Sequence, residues 1–94
     1  MKNINRVIKI AKALADKNRY NILRLIAQNK EICCMEILQK SHLSQPAVSH
    51  HLKILLESEL VSVRREGQYG YFSFNKKVFG TYLKYFSKEL KLKD

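Results

Sequence analysis

Ninety-four residues, 46% of them apolar, carry 18 Lys and Arg against 8 Asp and Glu, a formal net charge of +10. That apolar content points to one small folded domain over residues 1–94 and excludes a disordered chain. Such a basic domain implies an anionic partner, either nucleic acid or a membrane surface. No apolar run approaches the ~20 residues that cross a membrane. Lys9 and Lys12 interrupt the N-terminal amphipathic stretch, so no signal peptide is expected. A cytoplasmic location with reduced thiols follows.

Ile4, Val7, Ile8, Ala11 and Leu14 recur at helical spacing and predict an amphipathic helix over 4–14. Asp16 is placed to cap a second helix, with Tyr20, Leu23, Ile26 and Ala27 on one face and Ile22 and Leu25 beside them. Asn29-Lys30 ends it. Cys33 stands three residues before Glu36, the spacing of a capping box, ahead of a short third helix to about Lys40. Ser41-His42-Leu43 reads as a tight connection.

Ser44-Gln45-Pro46 opens a fourth helix, with a serine cap and a proline in the first turn, where its missing N–H is not needed. Val48, Leu52, Leu55 and Leu56 form its apolar stripe. Gln45, Ser49, His50 and Lys53 fall mostly on the other side. Leu60 to Arg65 alternates as a strand, Glu66-Gly67-Gln68 turns, and Tyr69 to Phe74 returns. Asn75 is placed to cap a last helix with Val78, Phe79, Tyr82, Leu83, Phe86 and Leu90 on its apolar side. The expected fold class is therefore mainly α with a small β-hairpin, in the order α-α-α-α-β-β-α. A helix-turn-helix followed by a basic hairpin is a winged helix-turn-helix.

The stretches ALADKNRYNILRLI, LSQPAVSHHLKILLESELV and RREGQYGYFSF together resemble the ArsR/SmtB family of bacterial winged-helix repressors. The resemblance is in register over about residues 11–74. It implies a homodimer that binds a near-palindromic operator in double-stranded DNA and lets go when an inducer binds. It also implies that residues 4–14 and 76–92 are the dimerisation helices. Family members often have Gly where Glu59 stands, which implies a left-handed backbone there.

A recognition helix presents its N-terminal residues to base edges in the major groove. Ser44, Gln45, Ser49 and His50 are the hydrogen-bonding candidates there, and Ala47 suits a thymine methyl. Lys53 is better placed for a phosphate, which adds affinity without sequence information. On the hairpin, Arg64, Arg65 and Gln68 are candidates for the adjacent groove or backbone. The plainer reading of Arg64-Arg65 is a charged, solvated strand edge. His50 and His51 do not read as a metal pair, because helix neighbours point about 100° apart. His51 is expected to pack inside while His50 faces DNA, and His42 is expected to be structural. The aromatic residues from Tyr69 to Phe86 read mostly as core or interface.

Cys33 and Cys34 are the only cysteines. In arsenic-sensing members of the resembled family two cysteines stand two apart in this stretch. Here Cys33 takes the first position, Cys34 the intervening one, and Met35 the second. The ions such thiols suit are thiophilic, a soft metal or metalloid, and no other cofactor is implied. The last helix has no His, so a His-rich metal site is not expected there. Three readings of the pair stand open: a thiophilic-ion sensor, a redox or sulfur-species sensor, or two small half-buried side chains with no sensing role.

Other function classes are a nonspecific architectural nucleic-acid binder and a membrane-surface module built on the basic first helix. An enzyme is not expected, since no Ser/His/Asp order, paired-carboxylate motif or Gly-rich phosphate loop is present.

Overall fold

The computed structural model describes residues 2–92. Residues 1, 93 and 94, the ends of the expected 1–94 domain, lie outside the described residues. The elements are α1 (Lys2–Ala13), α2 (Lys17–Ala27), β1 (Ile32–Cys33), α3 (Cys34–Ser41), α4 (Gln45–Glu57), β2 (Val61–Glu66), β3 (Tyr69–Phe74) and α5 (Lys76–Glu89). This is the expected winged helix-turn-helix, with α3 and α4 as the helix-turn-helix and β2–β3 as the wing. The difference is β1, which makes the sheet three-stranded in the order β1-β3-β2.

β1 pairs antiparallel with β3 through Ile32 opposite Phe72 and Cys33 opposite Tyr71. A two-residue strand has no periodicity to read. Its pairing is created by the tertiary approach of the α2–α3 connection to the wing. The hairpin register runs from Val61 opposite Phe74 to Glu66 opposite Tyr69, leaving Gly67-Gln68 as the loop. Gly67 has φ +61°, the left-handed region that glycine enters without steric cost.

The core gathers Val7, Ile10 and Ala13 from α1, Ile22, Leu23 and Ile26 from α2, and Ile32, Ile37, Val48, Leu52, Leu55, Leu60, Val61, Phe72 and Tyr82 from the rest. Burying one such aliphatic side chain contributes about 1.5–3 kcal/mol. On α1 the core takes Val7 as expected, together with Ile10 and Ala13, while Ile4 and Ile8, also expected on the buried face, are half exposed. The apolar residues of α1 therefore serve two faces, and periodicity alone could not say which one meets this core. On α2, Tyr20 and Ala27 are exposed although they were expected on the apolar side, and Arg19 is buried instead. The cause is a set of hydrogen bonds described below. On α5, Tyr82 is buried and stacks near Phe79 and Phe86, whereas Leu83 and Leu90 face solvent.

The caps explain where the helices begin. Asp16 accepts the Arg19 backbone N–H at 3.0 Å, and Ser44 accepts that of Ala47 at 3.3 Å. Both bonds satisfy donors that a helix start leaves open. Cys33 holds the N-cap position of α3 in extended backbone, but its side chain makes no capping bond, so the expected capping box is not formed. A thiol is a weak acceptor and does not replace a hydroxyl. Asn75 precedes α5 without capping it. Its amide instead donates to the Glu59 carbonyl at 2.6 Å and accepts from the Ser62 hydroxyl at 2.9 Å, tying the end of the wing to its root.

Two side-chain-bearing residues sit in the left-handed region at the ends of the helix-turn-helix helices: His42 at φ +60°, closing α3, and Glu59 at φ +68°, closing α4. The strain at Glu59 is what its position led us to expect. Its carboxylate also meets Arg6 at 2.7 Å, with both side chains exposed. Left-handed backbone costs a non-glycine residue about 1 kcal/mol, and an exposed ion pair returns about 0–1 kcal/mol. Glu59→Gly is accordingly expected to leave the thermal unfolding temperature unchanged or raise it slightly. A fall of several degrees would show that the Arg6 contact outweighs the strain.

Candidate nucleic-acid interface

The proline and serine at the start of α4 set its phase. Val48, His51, Leu52 and Leu55 turn inward, and Leu56 is half buried. Gln45, Ser49, His50 and Lys53 are exposed, with Ala47 half buried among them. Ser44 is exposed, and its oxygen is engaged as the cap. The polar face expected for α4 is thus a single exposed surface. The two histidines part as their helical spacing requires, with ring centroids 5.7 Å apart. His50 faces solvent and His51 faces the core.

His51 is held by a group that the sequence pattern does not reveal. Arg19 is 9% exposed and donates from Nε to the Ala13 carbonyl at 2.7 Å and from Nη2 to the Lys12 carbonyl at 3.0 Å. These carbonyls end α1, where the last C=O groups run out of helical donors; that of Lys12 also accepts the Ala15 backbone N–H at 3.1 Å. Arg19 Nη1 lies 3.3 Å from His51 Nδ1. Guanidinium only donates, so Nδ1 must be the bare nitrogen and Nε2 must carry the proton. That proton faces Asp16 Oδ1, with the heavy atoms 3.9 Å apart. One arginine thereby joins the end of α1, the start of α2 and the buried side of α4. Nothing in helical periodicity marks it; Arg19 looks like any exposed basic residue near a helix start.

Burial pushes the His51 pKa below its ordinary 6.5, and the Arg19 and His50 charges push the same way against the opposing pull of Asp16. The unfolded chain therefore binds a proton that the folded chain refuses. Stability from this group is complete above about pH 6.5 and declines as pH falls below it. Asp16 is held below its ordinary value, chiefly by the Arg19 backbone N–H, and titrates in a lower range. The unfolding temperature is expected to drop between pH 7.5 and pH 5.5, and less so in His51→Asn, whose amide oxygen can accept from Arg19 without titrating. Equal drops in both proteins would contradict the assignment.

On the wing the two neighbouring arginines have different surroundings. Arg64 donates from Nε and Nη2 to the two oxygens of Glu31, each at 3.0 Å, and from Nη1 to Glu66 at 2.7 Å. Its guanidinium also lies 4.7 Å from the centre of the Tyr71 ring. Glu31 first, then Glu66, holds it firmly in its charged form. Arg64 is occupied as a strut between the wing and the segment before β1. Arg65 is exposed and, among the described residues, pairs with no carboxylate. It lies close over Gly70, where an added Cβ would approach its Nη1 to 3.2 Å. Gln68 is exposed in the turn. Gln45, Ala47, Ser49, His50 and Lys53 thus share α4, with Ser44 as its cap, while Arg65 and Gln68 are exposed on the wing.

The cysteines do not share one setting. Both are free and half buried. Cys33 belongs to β1 opposite Tyr71, whereas Cys34 packs against the core and lines a groove beside α4. Among the described residues, no three His, Cys, Asp or Glu side chains gather where they could hold a metal ion.

The model of the bacterial regulatory protein arsR family matches residues 16–63, from the cap of α2 into the wing. The chain belongs to the ArsR family. An uncharacterized HTH-type transcriptional regulator of Methanocaldococcus jannaschii, MJ1325, is 35% identical over 77% of this chain and 81% of its own length. The arsenical resistance operon repressor of Staphylococcus aureus is 38% identical over 70% of this chain, a stretch that spans 62% of that protein. Among solved structures, the homodimeric winged helix-turn-helix DNA-binding domain Mb0332 of Mycobacterium bovis, a possible ArsR-family transcriptional regulator, superposes with a TM-score of 0.74 at 30% identity, covering 85% of this chain and 74% of that one. This ArsR-family chain is therefore a winged helix-turn-helix transcriptional regulator, and the matched region contains α4 and the start of the wing.

Proposed function

We propose that this regulator is a cytoplasmic homodimer that represses transcription by binding a near-palindromic operator in double-stranded DNA. The observation that carries the reading is the exposed face of Gln45, Ser49, His50 and Lys53 on α4, beside the exposed Gln68 of the wing and Arg65, which among the described residues pairs with no carboxylate. In this reading Gln45, Ser49 and His50 meet base edges, Ala47 meets a thymine methyl, and Ser44 orients the helix start. Lys53, Arg65 and Gln68 hold backbone phosphates, and Arg64 positions the wing. The dimer forms through α1 and α5, which fall on the expected 4–14 and 76–92 segments. The solvent-facing Ile4, Ile8, Leu83 and Leu90 supply apolar surface for it. The homodimeric M. bovis relative supports that assembly.

Fluorescence anisotropy on the duplex upstream of the protein's own gene tests the proposal. Binding is expected to weaken steeply with salt and to exceed that of a scrambled duplex by about 10³-fold or more. Equal affinity for both at physiological salt would leave only a nonspecific binder.

A second reading concerns the thiols. The place of Cys34 against α4 favours release of DNA by a thiophilic ion or thiol-reactive agent acting at Cys33 and Cys34. Adding As(III), Cu(I) or a polysulfide to the preformed complex, and repeating with Cys33→Ala and Cys34→Ala, separates a sensory pair from a structural one. Release abolished by the substitutions supports the sensor; release unaffected by them removes it.

A further inference from the structure

The groove beside Cys34 has a volume of about 420 Å³ and lies between α3, α4 and the wing. Leu38, Val48, Leu52, Leu56 and Phe72 make most of it apolar. Met35 lines it while remaining half exposed. Lys53 and Arg65 line the same groove, and among the described residues neither is paired with an acid. Glu57 is the single acid in the lining and sits at the last residue of α4, away from its polar start.

We propose that this groove binds an amphipathic organic anion, with its carboxylate between Lys53 and Arg65 and its apolar body along Leu38, Leu52 and Leu56. The volume falls within the roughly 300–1,000 Å³ of small-molecule sites, which combine an apolar lining with a few fixed polar groups. The two cations without counter-ions supply the charge complement. Along α4 the lining runs from Gln45 to Glu57. At 1.5 Å per residue that is a track of about 18 Å, suited to an elongated ligand.

The consequence rests on the DNA-binding reading. Lys53 and Arg65 are the groups assigned there to phosphates, so the bound anion and the operator compete for the same two cations. Ligand binding then releases DNA by direct competition and needs no thiol chemistry.

Octanoate is the probe, with octanol as its uncharged counterpart. In ¹⁵N-labelled full-length protein, octanoate is expected to shift the amide signals of Cys34, Leu38, Leu52 and Leu56 saturably, and octanol at least tenfold more weakly. Cys34→Phe fills the groove and Met35→Asp places a like charge beside it; each is expected to weaken octanoate at least tenfold with unfolding temperature retained. Cys34→Ser keeps the space and is expected to bind as wild type does. Saturating octanoate is expected to weaken operator affinity at least tenfold.

Absent or scattered shifts, or unchanged octanoate affinity in Met35→Asp, would overturn the site. Localised shifts with unchanged operator affinity would overturn the competition. A protein that does not discriminate its operator from scrambled DNA would overturn the DNA reading and with it the competition, while the amide shifts would still decide the site.

Discussion

Arg19→Met is expected to destabilise the protein by about 3 kcal/mol, the scale of losing several hydrogen bonds to a buried charged group. For a domain of this size that corresponds to a fall of roughly 12–24 °C in unfolding temperature. Methionine keeps the apolar stem of the arginine and removes its donors. The carbonyls of Lys12 and Ala13 then lose the side chain that closes α1, and His51 Nδ1 loses its donor. These bonds tie three different helices together, so the joint between α1, α2 and α4 loosens as a unit. His51→Leu alone is also expected to destabilise, since it leaves the Nη1 donor of Arg19 without its partner. The double variant Arg19→Met/His51→Leu is expected to be less destabilised than the sum of the two, because each removes a group whose partner the other has already removed. Thermal unfolding at fixed protein concentration measures all three, the concentration mattering because a dimer is stabilised by association. An Arg19→Met variant within about 1 kcal/mol of wild type would mean that water replaces the guanidinium without cost.

The second large effect concerns sequence discrimination. Gln45→Ala and Ser49→Ala each remove a hydrogen-bonding side chain from the exposed face of α4, and neither side chain supports the core. Each good base-edge contact contributes about 1–3 kcal/mol of discrimination. The double variant is therefore expected to lose roughly 30-fold or more in affinity for the operator, at 1.4 kcal/mol per tenfold, and little for scrambled DNA. Its salt dependence is expected to stay as in wild type. Arg65→Ala is expected to do the reverse, weakening both duplexes alike and reducing the salt slope by about 0.9 for each phosphate that is no longer neutralised. Anisotropy titrations of the two duplexes at several salt concentrations give both quantities. If the α4 double variant weakened both duplexes equally, α4 would be a phosphate-binding element and the reading of base edges would have to come from elsewhere.

The helix-turn-helix was legible because its signals are local. Ser44 and Pro46 mark a helix start within three residues, and Val48, Leu52 and Leu55 give its phase, so the exposed face of Gln45, Ser49, His50 and Lys53 followed. The hairpin was legible for the same reason, from alternating residues on either side of Gly67. The left-handed backbone at Glu59 was foreseen from the glycine that related chains often carry there. What stayed hidden depends on distant partners. β1 exists because Ile32 and Cys33 meet Phe72 and Tyr71, some forty residues on. The burial of Arg19 depends on the end of α1 and on His51, and the occupation of Arg64 depends on Glu31. Arg64 and Arg65 are indistinguishable as sequence neighbours, yet strand alternation sends one to an acid pair and leaves the other free. On α1, Ile4 and Ile8 fit a helical stripe as well as Ile10 does; only the assembled core selects among them.

Whether two copies of α4 read one operator is decided by a hydroxyl-radical footprint of the reduced protein on the duplex upstream of its own gene. A homodimer that places one α4 in each of two half-sites is expected to protect two patches related by a two-fold axis, with centres one helical turn, about 34 Å, or a multiple of it apart. A single patch, or uniform protection that moves with the ends of the duplex, would contradict recognition of an operator by a two-fold dimer.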